Sequence, residues 1–235
     1  EAIGPLRCSI AIGYALKEEK RALIHEVLTD AEEAMYREKT LHRTNTNAAM
    51  LEGIIASFHQ RSEKEKEHAE GVRGLAGHLG KAMELSETQL RQLRDAAYLH
   101  DIGKVVLDDD LLLQAGVYSD RDREEVQQHS MVGYRILNSF DDTLDLAEAV
   151  LSHHERWDGE GYPKGLKGEE IPLLSRILAV AERYDALRSS RYYRGPCSHA
   201  ESIEEIRKGA GTQFDPAIAA AFLETIDSYL EEKQA

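Results

Sequence analysis

Apolar residues recur every three or four positions along most of this chain, the period of a helix with one buried face. From Asn45 onward the pattern is helical almost to the C-terminus. MLEGIIASFHQ leads into SEKEKEHAEGVRGLAGHLGKAMEL, a charged and then amphipathic run. SETQLRQLRDAAYLHDIGK opens on Ser86-Glu87-Thr88 as a cap and sets Leu90, Leu93, Ala97 and Tyr98 on shared faces. DREEVQQHSMVGYRILNSF and DTLDLAEAVLSHHERW predict two more helices, and IPLLSRILAVAERYDALRSS a long one with Pro172 near its start. SHAESIEEIRKGAG and PAIAAAFLETIDSYLEEKQ close the chain, the second with Asp215 as cap and Pro216 in its first turn. The predicted body is all-α, a bundle of about seven helices.

The N-terminal stretch departs from this pattern. LRCSIAIGYAL, residues 6–16, is apolar and partly alternating after Pro5, as a strand would be. A helical pattern follows from about Glu18 to Arg43. A lone strand has no partner here, so the segment reads as a piece of a larger sheet domain.

Composition narrows the function classes. With 235 residues the chain fits one large domain, or one domain plus a fragment. No apolar run approaches the ~20 residues of a membrane span, and EAIGPLRCSI lacks the basic and apolar regions of a signal peptide. Cys8 and Cys197 are too few for a disulfide framework, and a cytoplasmic location is expected. A net charge of −14 argues against binding polymeric DNA or RNA, whose phosphates require basic patches. It permits a small anionic substrate if metal ions or a few placed Lys and Arg supply local positive charge.

His68, His100, Asp101, His129, His153 and His154 are the candidates for chemistry. Neighbouring side chains on a helix point about 100° apart, so adjacent ligands are awkward within one. Here His100-Asp101 precedes Gly103, and His153-His154 precedes Gly159 and Gly161. Each pair therefore stands where a helix can stop, and there both side chains can turn into one cavity. Lone histidines such as His25, His59, His78 and His199 read as solvated or satisfied residues. Two helix-terminal pairs read as a metal cluster. Imidazole and carboxylate ligands suit divalent iron, manganese or zinc rather than a soft thiolate metal.

HDIGK at 100–104, HHERWDGEGYP at 153–163 and GAGTQFDP at 209–216 resemble the HD-GYP branch of the HD superfamily of metal-dependent phosphohydrolases. The motifs occur in order at family-like spacing, and the resemblance runs from about Ile54 to Ala235. It implies an all-helical fold with two or three divalent metals, commonly iron or manganese, with zinc or nickel also compatible with such ligands. It also implies hydrolysis of cyclic di-GMP to pGpG and on to GMP. On that resemblance Asp101 bridges two metals, with His68 and His100 on one and His129, His153 and His154 on the other. Such a pair about 3.5–4 Å apart can hold a bridging hydroxide and clamp phosphoryl oxygens. Lys104 matches the family's catalytic lysine, able to offset phosphate charge or help the leaving oxygen.

Two positions depart from the family pattern. AERYDAL, residues 181–187, stands where the family has a motif resembling ADxxDAL, so Glu182 takes the ligand position with one extra methylene. Asp185 matches the second aspartate of that motif and is expected either to stand behind the ligands or to serve the fold. A glutamate of trinuclear members is replaced by Lys64, with Glu65 one residue on, so the site is read as binuclear. RYYRG, 191–195, resembles a family region that touches substrate, and Arg191 and Arg194 match its basic residues. Trp157 and Tyr162 either wall a nucleotide pocket or pack the core.

CSIAIGYAL followed by LTDAEEAMYREKTLHRTN resembles the last strand and helix of a GGDEF domain, without the motif that would confer cyclase activity. The expected organisation is a GGDEF-like α/β remnant over 1–45, a linking helix over 46–62 and an HD-GYP domain over 63–235. Cyclic di-GMP is the expected ligand and GGDEF-domain proteins the expected partners; a homodimer is compatible with this organisation. Two alternatives stand beside the leading reading: hydrolysis of another cyclic dinucleotide such as cyclic GMP-AMP, and a sensor or scaffold that binds the messenger with little turnover.

Overall fold

The structure, a computed structural model, describes residues 12, 14–16, 24–114, 118–189 and 195–234. The chain divides into two compact units, Glu1–Gly53 and Ile54–Ala235. Most of the expected strand at 6–16, and with it the strand of the GGDEF-like fragment, lies outside the described residues, as do Arg191 and Arg194. No strand occurs among the described residues, and none of their helices is long and apolar enough to cross a membrane.

Helix α1 (Ile24–Arg61) runs without a break through Thr44-Asn45-Thr46-Asn47, where the sequence pattern separates two helical segments. Those four residues are weak helix formers, but none is Gly or Pro, and each costs only tenths of a kcal/mol, ~0.7 at most. In the second unit, α2 (Glu63–Ala82) starts on Ser62, whose hydroxyl accepts from Glu65 N. Helix α3 (Glu87–Leu99) starts on a capping box between Ser86 and Gln89. A 3₁₀ turn (Ile102–Val106) and the short α4 (Asp109–Leu112) follow, then α5 (Asp120–Gln127), α6 (His129–Leu137) and α7 (Leu144–Leu151). Helices α8 (Leu173–Arg188), α9 (His199–Gly209) and α10 (Pro216–Gln234) complete the unit. Asp215 caps α10 through Ala217 N at 2.9 Å.

The single helix expected over 122–140 is two helices, and Gln128 marks the break. Its N–H bonds Glu125 O, three residues back, rather than the carbonyl four back, so the turn tightens there. The consequence is functional, because His129 opens α6 at that break.

Helix α2 lies at the centre, packed by α3, α8 and α10, while α7 bridges α3 and α6. The amphipathic stripes meet there: Val72 and Leu79 of α2, Leu93 and Ala97 of α3, Val150 of α7, and Ile177, Leu178 and Ala181 of α8 are all fully buried. A smaller cluster of Phe58, Leu107, Leu111 and Leu112 anchors the end of α1 to the segment after the 3₁₀ turn. Arg61 clasps the same segment, donating to Val105 O at 2.7 Å and to Asp109 Oδ1 at 2.8 Å.

Candidate metal centre

Three helix ends and one helix face converge on a single buried point. Helix α3 stops at Leu99; His100 keeps helical dihedrals (φ −55°, ψ −37°), and Asp101 leaves them (φ −98°, ψ 7°). That change of direction turns two adjacent side chains into one cavity, as the Gly103 signal predicts. Helix α7 stops at Leu151, so His153 and His154 lie in the turn beyond it. His129 comes from the first residue of α6 and His68 from the inner face of α2.

The 3₁₀ turn is pressed against α6 at Gly103. A Cβ there would lie 1.9 Å from His129 O and 2.6 Å from Gly133 N, so only glycine permits the contact. This approach brings Asp101 to His129, with Oδ1 3.3 Å from Nε2. On the other side Asp101 Oδ2 lies 3.3 Å from His100 Nε2 and 3.9 Å from His68 Nε2. His129 Nε2 and His153 Nε2 are 3.3 Å apart, and the His153 and His154 rings meet at a 41° tilt with centroids 4.0 Å apart.

The outer nitrogens fix the rings. His100 Nδ1 donates to Ala97 O at 2.7 Å, His129 Nδ1 to Val126 O and His153 Nδ1 to Val150 O, both at 2.5 Å. In each case the acceptor is the carbonyl three residues back, available because a turn is ending there. His68 Nδ1 donates to Asp185 Oδ2 at 2.7 Å, across 117 residues of sequence. Carbonyl and carboxylate oxygens only accept, so all four rings are fixed with Nε2 turned inward, as metal-bound imidazoles are held by partners behind them. Gly71 makes room for the Asp185 partner, since a Cβ there would lie 2.1 Å from Asp185 Oδ1.

Two donor sets result: His68, His100 and Asp101, and Asp101, His129, His153 and His154. Within each, one ligand atom per residue lies within 4.8 Å of all the others, and Asp101 belongs to both. His68 Nε2, His100 Nε2 and Asp101 Oδ1 are buried without a hydrogen-bond partner. Each such buried polar atom costs about 1–3 kcal/mol. Three together, all aimed at one point, fit a site built to hold divalent ions, and the nitrogen and oxygen donors suit such ions.

Electrostatics give the same picture. Burial pushes His129, His153 and His154 below the ordinary imidazole range, so they stay neutral and able to ligate. Burial would also lower His100, but the Asp101 carboxylate outweighs it and raises His100 to about 9. Asp101 stays ionised: burial opposes this, and Lys104 and His100 overcome it. Lys104 Nζ sits 2.7 Å from Asp101 Oδ2 and 3.1 Å from Glu65 Oε2. Glu65 is thus engaged by the lysine instead of standing with the donor sets.

Glu182 adjoins the cluster but belongs to neither set, its Oε2 lying 3.9 Å from His154 Nδ1. Both line a cavity of about 480 Å³, which Tyr162 also walls, its ring tilted against that of His154 with centroids 4.8 Å apart. Burial, then Glu182 and Asp101, push the Tyr162 hydroxyl above its ordinary range, so it remains a neutral donor. The Trp157 ring instead lies beneath Arg176, at 5.8 Å, and its backbone N–H donates to Gln213 O at 3.2 Å. With Asp158 N to Thr212 O at 2.8 Å, this bond knits HHERWDGEGYP to GAGTQFDP.

Sequence reasoning passed over Glu155. It is 3% exposed, and its carboxylate accepts from Lys164 N at 2.7 Å and Leu166 N at 3.0 Å. It therefore holds the glycine-rich loop against the histidine turn. The available signal was an acid set directly before a loop whose backbone N–H groups need acceptors.

Residues 49–218 match a family described as HD domain, and the chain belongs to that family. It is 41% identical over 190 residues to a Thermotoga maritima protein named cyclic di-GMP phosphodiesterase, covering 78% of this chain and 52% of the relative. It is 31% identical over 187 residues to a Vibrio cholerae 3'3'-cGAMP-specific phosphodiesterase 2, covering 79% of this chain and 36% of that protein. The chain thus spans about half or less of the length of these relatives. A solved Vibrio cholerae cyclic GMP-AMP specific phosphodiesterase has the same fold, with a TM-score of 0.59 at 20% identity over 77% of this chain and 51% of its own.

Proposed function

We propose that residues 63–235 form an HD-GYP-type phosphodiesterase domain that hydrolyses cyclic di-GMP at a binuclear metal site, within a cytoplasmic protein. The observation that carries this reading is the pair of donor sets sharing Asp101. His68 and His100 would hold one ion and His129, His153 and His154 the other, with Asp101 available to both and Glu182 as an outlying ligand. Iron or manganese suits these donors. Two divalent ions held there would lower the pKa of water and clamp phosphoryl oxygens. Lys104, held by Asp101 and Glu65, presents positive charge where the diester's charge grows. Residues 1–45 are assigned to the end of a GGDEF-like domain and 46–62 to a linker, which would make GGDEF-domain proteins natural partners.

The test is hydrolysis by manganese- or iron-loaded protein, with products separated by chromatography. Formation of pGpG or GMP from cyclic di-GMP supports the reading. Exclusive cleavage of 3'3'-cGAMP would move the assignment to the second reading, which the similarity to a cGAMP-specific relative favours. Binding without any linear product would make the domain a sensor.

Two further results are expected. Asp185→Asn leaves His68 without its anionic partner and should weaken metal affinity about 10–100-fold, the usual cost of losing a group behind a ligand. Titration of metal-free variant with Mn²⁺ checks this, and an unchanged affinity would remove Asp185 from the account. Metal affinity should also rise with pH. His100, raised to about 9, holds a proton that the ion must displace, whereas the three lowered histidines hold none at neutral pH. Below that value the dissociation constant should fall by about tenfold per pH unit, read by the same titration at successive pH values.

A further inference from the structure

The cavity beside the cluster carries two charged side chains that metal binding does not explain. Glu160 comes from the loop after the paired histidines, and Arg183 from α8, next to Glu182. At about 480 Å³ the cavity falls within the ~300–1,000 Å³ of small-molecule sites. Arg156, the other described cation lining it, is engaged by Asp158 at 3.0 and 2.6 Å. Among the described residues Arg183 meets Glu205, at 3.7 Å, with both side chains more than two-fifths exposed. Such a contact holds the guanidinium weakly in water.

Glu160 raises the sharper question. A carboxylate lining a cavity meant for a phosphodiester repels that ligand, unless the ligand also brings donors to it. Guanine does so: its N1–H and exocyclic N2–H point the same way and match the two oxygens of one carboxylate. Its adjacent Hoogsteen edge offers O6 and N7, which an arginine fork takes bidentately. Adenine lacks both features, having an acceptor at N1 and an amine in place of O6.

We propose that Glu160 and Arg183 form a guanine-selecting subsite, Glu160 taking the N1/N2 donors and Arg183 the O6/N7 acceptors of a base bound beside the metal centre. The proposal deepens the phosphodiesterase reading, on which it rests for placing the phosphate at the histidine cluster. It goes beyond that reading by assigning base selection to two residues outside the metal machinery.

The experiment measures binding of GMP, IMP and AMP, which carry no diester to cleave, to the manganese-loaded chain. Wild-type protein should bind GMP about tenfold or more tighter than AMP, the discrimination one bidentate pair supplies. Inosine lacks the N2 amine, so Glu160→Gln should shrink the GMP-to-IMP ratio toward one. Arg183→Ala should shrink the GMP-to-AMP ratio. A folding defect would lower all three affinities together and leave the ratios in place. Equal GMP and AMP affinities in the wild type, including no binding of either, would overturn the proposal, as would variants that keep both ratios. Guanine selectivity that depends on both residues, in protein that leaves cyclic di-GMP intact, would instead sustain the subsite and remove the phosphodiesterase reading.

Discussion

Asp101→Asn is expected to lower cyclic di-GMP hydrolysis by more than the about 10–100-fold that loss of a supporting group costs, because this carboxylate belongs to both donor sets. The amide keeps the shape and one acceptor oxygen but removes the charge that faces His68, His100 and His129 together. It also strips Lys104 of its 2.7 Å partner. Turnover and metal content measured on the same preparation check the expectation. Activity within tenfold of wild type would mean that Asp101 does not join the two halves of the site.

Gly103→Ala is expected to be the most damaging substitution that replaces no ligand. The new methyl would meet backbone atoms, His129 O at 1.9 Å and Gly133 N at 2.6 Å, and neither can swing aside as a side chain would. Overpacking of this kind costs about 1–3 kcal/mol, and the rigid neighbours place this case at the upper end. Relief requires the 3₁₀ turn to back away from α6, which also separates Asp101 from His129. Denaturant unfolding should show the loss of stability, and metal titration a weaker site. A variant as stable as wild type would show that the close approach is dispensable.

Much of the candidate site is legible in the sequence because most of its candidate ligands sit at helix ends, and helix ends carry local signals. Gly103 and the Gly159/Gly161 loop mark where neighbouring side chains stop diverging, and the structure brings those pairs together with His68 and His129. What sequence order hides is the support behind the ligands. The motif marks Asp185 as a residue that could stand behind the ligands but does not name its partner: it reaches His68 from 117 residues away, through a gap that depends on Gly71, and no local spacing encodes that contact. The break at Gln128 is hidden for a different reason. Apolar residues keep the helical period across it, whereas the tightening is a matter of which carbonyl one N–H chooses. Glu155 escapes notice because its role is to satisfy backbone donors, a demand that appears only once the loop is folded. Glu182 remains the informative departure, a carboxylate beside the cluster at 3.9 Å from His154 rather than within either donor set.

The central claim is that two ions share one aspartate. Elemental analysis of the chain after manganese loading and removal of excess metal tests it most directly. The account predicts two ions per chain in wild type, and fewer in Asp101→Asn. One ion or none in wild type, or two retained without the Asp101 carboxylate, would contradict it.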